Sequence, residues 1–191
     1  MTMRKGLLAA ACAAGLLGAQ GAQAHILFES GGWASGVLHP FLGADHVLAM
    51  LAVGLWAAQL GGRALWAVPL AFVSVLGLGA AAGVAGMPLA SVELGIAASV
   101  IALGLLVAFA VRLPVAVGMT IAAAFAFLHG HAHGTEWPAL ASARSYAAGF
   151  LLATALLHAM GIMAGRTLDA KRLQFVGACF AMAGVTLVAR I

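Results

Sequence analysis

Apolar residues in this chain run in long blocks, and the polar residues gather in the short gaps between them. Six blocks stand out, at about Val37–Leu60, Ala64–Ala85, Leu89–Val111, Leu113–His129, Ser145–Ala164 and Leu173–Ala189. Each is close to the roughly 20 residues that cross a bilayer as a helix. The gaps carry glycine, proline or arginine, as in Gly61-Gly62-Arg63, Gly86-Met87-Pro88 and Arg112-Leu113-Pro114. Two gaps are longer: a histidine-rich stretch from Gly130 to Arg144, and Gly165 to Arg172 with Arg166, Asp169, Lys171 and Arg172. A membrane β-barrel needs alternating ten-residue segments, and none occur. Backbone polar groups in hydrocarbon must then be satisfied within helices. The pattern predicts an all-α, polytopic membrane helix bundle with six transmembrane helices.

A seventh apolar run at the N-terminus is shorter. Arg4 and Lys5 precede the stretch from Gly6 to Gly18, and Ala22-Gln23-Ala24 closes it in the manner of a secretory cleavage site. Residues 1–24 read as a cleaved signal peptide, and residues 25–191 as one six-helix transmembrane domain starting at His25. An uncleaved first helix is the alternative. A lipobox at Cys12 fits less well, because cutting there leaves too short an apolar run.

Composition sharpens the class. Hydrophobic residues make up 64% of the chain and charged residues 7%, against roughly 25% charged in soluble domains. With a mean hydropathy of +1.11, a globule of this size has too much surface to hide its apolar residues from water. A cytosolic enzyme, a disordered chain and a nucleic-acid-binding domain are excluded. The high pI of 9.8 comes from basic residues scattered along an oily chain, and in membrane proteins these report orientation. Cys12 and Cys179 lie far apart in apolar runs and form neither a disulfide framework nor a CxxC site.

With His25 outside, Arg63, Arg112, Arg166, Lys171 and Arg172 fall on the cytoplasmic side, and Arg144 and Arg190 opposite. This agrees with the positive-inside rule and puts the mature N-terminus on the side away from the cytoplasm. Trp33 and Trp137 fall near the outer boundary, and Trp56 and Trp66 near the inner one, as an aromatic belt. Gly79 with Gly83, and Gly161 with Gly165, have the small-residue spacing of close helix packing.

Ionisable side chains inside a bilayer are costly and mark function, so their positions carry the chemistry. The first span contains HPFLGADH. On a continuous helix His39 and His46 lie two turns apart on one face, with Asp45 beside His46. At 1.5 Å per residue the pair sits roughly 10–13 Å into the bilayer. Imidazoles with a carboxylate suit a divalent cation such as nickel, cobalt, copper or zinc. Hydrogen-bonded interfacial histidines with a capping aspartate are the alternative.

FLHGHAHGTEW closes the fourth span with His129, His131, His133 and Glu136. On a helix, histidines at every second residue are spread by about 200° each. Gly130 and Gly134 therefore predict that the helix frays here and lets the imidazoles converge. Such tracts also occur as loose metal scavengers. His158 lies alone inside the fifth span, equally readable as a packed residue or a ligand. Glu93 is the one acidic residue of the third span and requires a partner there, which a metal pathway supplies. By this topology all but His158 lie in the outer half of the membrane, as a site that captures a cation from outside.

These motifs carry a resemblance. HPFLGADH fits an H-x5-D-H signature, FLHGHAHGTE fits one of the form F-x-HGxAHGxE, and LLATALLHAMG is a third matching stretch. Together they resemble the HupE/UreJ family of bacterial membrane proteins across essentially the whole mature chain. Leu128 between Phe127 and His129 departs from the F-H-G form. The resemblance implies nickel permeation in association with hydrogenase and urease. It implicates His39, Asp45, His46, His133 and Glu136, with Glu93 and Phe72 as weaker candidates.

The leading expectation is a nickel importer whose substrate is the metal ion, with no organic cofactor and no nucleic-acid partner. His25 is a further weak candidate contact. No GxxxxGK[ST] run is present, so nucleotide hydrolysis by the P-loop route is out. Facilitated diffusion suffices, since a dication entering a negative interior gains about 4.6 kcal/mol per 100 mV. Two rivals use the same residues: an intramembrane metalloenzyme with Glu136 or Glu93 as general base, and a haem-binding electron carrier, for which Asp45 is a poor neighbour.

Overall fold

The computed structural model describes residues 32–136 and 143–191. The expected signal peptide with Cys12, the expected cleavage site at Ala24, His25 and Trp137 lie outside the described residues. Within them the chain forms seven α-helices, one 3-10 turn and no strand. Helix α1 (Trp33–Leu38) leads through the 3-10 turn His39–Phe41 into α2 (Ala44–Leu60). Then follow α3 (Ala64–Val84), α4 (Val92–Ala108), α5 (Val115–Thr135), α6 (Ala143–Thr167) and α7 (Ala170–Val188).

Helices α3, α5, α6 and α7 are each long and apolar enough to cross a membrane, and α1 with α2 adds a fifth crossing if the bent pair is one span. Helix α4 has 17 residues. That is about 25 Å at 1.5 Å per residue, just short of a typical hydrocarbon core of about 30 Å.

The first span departs from its predicted form. Val37–Leu60 is not one helix: α1 and α2 meet at a bend of 83°. Pro40 offers no backbone N–H, and Gly43 is extended, with φ −103° and ψ 117°. Between them they end the first helix and restart the second. His39 and His46 therefore do not share a helical face, and their side chains approach from the two arms of a corner. Irregular backbone at membrane depth survives where protein buries it or where it lines a cavity. Here α6 covers it, as Gly36 packs on the Tyr146 carbonyl and Gly149 on the Trp33 carbonyl.

The expected fraying at Gly130 is also corrected. Helix α5 continues to Thr135. Its glycines are points of backbone contact with α3: a Cβ at Gly130 would overlap the Leu76 carbonyl oxygen, and one at Gly134 the Ala80 carbonyl oxygen. Gly79 and Gly83 meet the Phe127 and His131 carbonyls from the other side. Close approach of small residues is how membrane helices gain dispersion contact, and it clamps the end of α5 in helical form. Gly54 and Gly161 bring α2 and α6 together in the same way.

Alternation of helix direction sends the arginine-bearing turns to one end and the histidines to the other. At the arginine end Asp169 caps α7, accepting from the Arg172 backbone N–H at 2.9 Å and from its Nε at 3.0 Å. Trp33 and Trp66 are exposed, as a belt requires. Trp56 is not a belt residue. It is fully buried, and its Nε1–H donates to the Val111 carbonyl at 2.9 Å, while Gln59 ties α2 to the Val107 carbonyl at 2.9 Å.

Candidate metal centre

Six elements meet around the histidines: the 3-10 turn, the start of α2, the middle of α3, the middle of α4, the end of α5 and the first turns of α6. Helix α5 places His129 and His133 on one face because they are four residues apart. Both are buried, and the face looks toward the α1–α2 corner. The His133 ring lies 4.6 Å from that of His39 and 4.1 Å from that of His46, centroid to centroid. The His129 ring lies 4.8 Å from that of His46. One potential ligand atom from each of His39, His133 and Glu136 lies within 4.8 Å of the others, with His39 Nε2 at 3.9 Å from Glu136 Oε2. Nitrogen and oxygen ligands of a borderline dication sit about 2.0–2.2 Å from it, so a small inward movement of these side chains would enclose one ion.

Exposure orders the column. The Glu136 side chain is 53% exposed and that of His39 21%, that of His46 11%, and His133, His129 and His158 are buried. A carboxylate thus stands at the mouth and imidazole nitrogens lie beneath it. Phe72 is buried below His129, with ring centroids 6.0 Å apart, and its other side meets the His158 ring at 4.9 Å. Tyr146 and Phe150 of α6 stack at 6.5 Å and wall the column, Phe150 lying 4.3 Å from His133.

Asp45 is tied directly to His46 within this group. Its Oδ1 accepts from His46 Nδ1 at 2.7 Å and from the His46 backbone N–H at 2.8 Å. A carboxylate only accepts, so Nδ1 carries a ring proton, and in the neutral ring that a metal requires Nε2 keeps its lone pair. This is the arrangement that orients metal-binding histidines and raises their basicity. Gly43 makes room for it, since a Cβ there would stand 2.7 Å from Asp45 Oδ1 and 2.9 Å from His46 Nδ1. Asp45 also offsets the positive N-terminal end of α2, which has the wrong sign for a cation, whereas the negative C-terminal end of α5 favours one.

Two predicted residues stand apart from the column. His131 points toward α3, and its Nε2–H donates to the Met87 carbonyl at 2.7 Å. Glu93 is exposed in the first turn of α4, in a groove it shares with Val188 and Ile191. Sequence reasoning missed Gly43, Ser99, Tyr146 and Phe150. Tyr146 is the chain's single tyrosine and stands four residues from Phe150, which is a faint signal of an aromatic wall. Ser99 is a lone hydroxyl in an apolar helix, and such serines ordinarily bond back to their own backbone.

Fold and site together define a polytopic helical membrane protein with a column of imidazoles and carboxylates able to hold a cation, sunk into one end of the bundle. The chain belongs to the HupE/UreJ family: the profile described as HupE / UreJ protein matches residues 12–187. It is similar to Protein HupE of Rhizobium leguminosarum bv. viciae, at 45% identity over 171 residues, covering 87% of this chain and 90% of that protein. No solved structure is significantly similar.

Proposed function

We propose that this protein imports nickel, with cobalt as the nearest competing ion, across the inner membrane of a bacterium to supply hydrogenase or urease. The observation that carries the reading is the column from Glu136 through His39, His133, His46 and His129 to Phe72 and His158, which leads from an exposed carboxylate into a sealed bundle. Family membership supports transport over turnover of a substrate.

In this reading residues 1–24 are removed, His25 begins outside, and the histidine end faces the periplasm. Counting α4 and the bent pair as crossings gives six spans. Arg63, Arg112, Arg166, Lys171 and Arg172 then lie in the cytoplasm, in keeping with the positive-inside rule. Glu136 and His39 take the ion from water, and imidazoles replace its hydration step by step. Harder ions such as magnesium, which hold oxygen ligands and water, gain little from nitrogen donors. The membrane potential supplies the drive by facilitated diffusion.

Uptake of nickel-63 by cells expressing the protein, with cobalt, zinc and copper as competitors, tests this. Saturable uptake above the empty-vector level, reduced most by cobalt, is expected. Uptake equal to the empty vector with the protein present in the membrane would overturn the reading.

A further inference from the structure

Ser99 on α4 is fully buried, and its hydroxyl proton is committed: Oγ donates to the Ile96 carbonyl at 2.6 Å. The same Oγ lies 2.8 Å from His129 Nε2. With its one proton spent, the hydroxyl can only accept, so Nε2 of His129 carries the ring proton and Nδ1 keeps the lone pair. That Nδ1 is buried without a partner. Across from it, Asp45 holds the proton of His46 on Nδ1, and His46 Nε2 is likewise buried without a partner. Two neighbouring rings, 4.8 Å apart, thus each hold their N–H toward an acceptor of their own and leave a bare lone pair. Neither lone pair can satisfy the other. A cation satisfies both.

We propose that His46 Nε2 and His129 Nδ1 form an inner cation station below the His39–His133–Glu136 group, and that Ser99 is the positioning residue that fixes His129 for it. The proposal deepens the importer reading and rests on it. His133 links the two stations: its ring contacts those of both His39 and His46, and both its nitrogens are buried without partners. Two dications so close repel strongly in low dielectric, so a single ion occupies one station or the other. A path with successive sites of moderate affinity lets an ion enter and also leave. The outer station supplies a carboxylate for capture. The inner one offers nitrogen ligands alone, with the Asp45 carboxylate one hydrogen bond removed, which selects softer dications and holds them less tightly.

Nickel binding to the purified full-length chain in lipid nanodiscs tests this. The parent should bind one nickel ion. Glu136→Gln weakens the outer station and should leave residual binding at the inner one. Adding Ser99→Ala to Glu136→Gln should weaken that remainder by about 10-fold or more, the usual cost of losing a partner that orients a metal-binding histidine. Ser99→Thr in its place should retain it. Nitrogen-15 spectra of the metal-free chain should show His129 protonated at Nε2 in the parent and released from that single tautomer in Ser99→Ala.

If Glu136→Gln abolishes nickel binding, or if its residual affinity is indifferent to Ser99→Ala, the two lone pairs are bridged by water only and the station is disproved. In either case a parent that still carries nickel leaves the importer reading standing. A parent that neither binds nor carries nickel sinks the importer reading, and the inner station with it.

Discussion

Helix α5 has two faces that use the same residue types for different ends. Toward α3 it presents Gly130, His131 and Gly134; toward the α1–α2 corner it presents His129 and His133. On the first face backbone meets backbone, and His131 ties the connection after α3 by its bond to the Met87 carbonyl. On the second face His133 has imidazoles on two sides and no hydrogen-bond partner for either nitrogen. His131 also has an unpartnered Nδ1, but among the described residues no imidazole packs against it. What separates a structural histidine from a candidate ligand here is a neighbouring second donor, since burial is the same for both.

The largest expected effect breaks the comparison from the cluster side. His133→Ala removes the ring shared by the outer group and His46, and nickel uptake per inserted protein should fall to the empty-vector level. The cavity left by a buried imidazole costs stability as well, so the amount of membrane-inserted protein is measured alongside. His133→Gln keeps volume and polarity and should also fail, because an amide is a poor nitrogen ligand. Uptake by His133→Gln near that of the parent would remove His133 from the path.

Asp45 sharpens the point at smaller magnitude. Asp45→Asn can still accept from His46 Nδ1 through its amide oxygen, but it no longer carries charge against the α2 dipole or near the ion. Uptake at low external nickel should drop about 10–100-fold, the range for partners of metal-binding histidines, with normal protein level. Asp45→Ala loses the hydrogen bond too and should drop further. Equal uptake by Asp45→Asn and the parent would mean that only the hydrogen bond matters and the charge does not.

How much of this is legible in the sequence varies with the physics. Helix positions away from the site follow from apolar run length, and the arginine turns and the exposed Trp33 and Trp66 agree with the reading. The 83° corner is hidden because HPFLGADH is apolar enough to continue a helix, and only Pro40 and Gly43 hint otherwise. Gly130 and Gly134 mislead because sequence alone cannot say whether a glycine loosens a helix or admits a neighbouring backbone. His39, Asp45, His46, His133 and Glu136 are visible as costly groups in an oily chain, and the structure brings them to one end. Ser99 is invisible, since its meaning depends on a histidine 30 residues away and on where its single proton goes.

The smallest expected effect tests the other face of α5. His131 belongs to the same HGHAH run as its neighbours, and a scavenging tract would use all three histidines alike. The geometry sets it apart, because its donor is spent on a backbone carbonyl and the glycines beside it press α5 against α3. His131→Gln keeps an N–H able to reach the Met87 carbonyl, so both nickel uptake and thermal stability should stay close to the parent. His131→Leu keeps the bulk but removes the donor, and one net hydrogen bond is worth about 0.5–1.5 kcal/mol. Its melting temperature in detergent should fall slightly, while uptake per inserted protein stays within about two-fold of the parent, too little to count as the tenfold that 1.4 kcal/mol of binding represents. If instead His131→Leu loses uptake as His133→Gln does, then the α3-facing side of α5 carries the ion as well, and the division between the two faces is wrong.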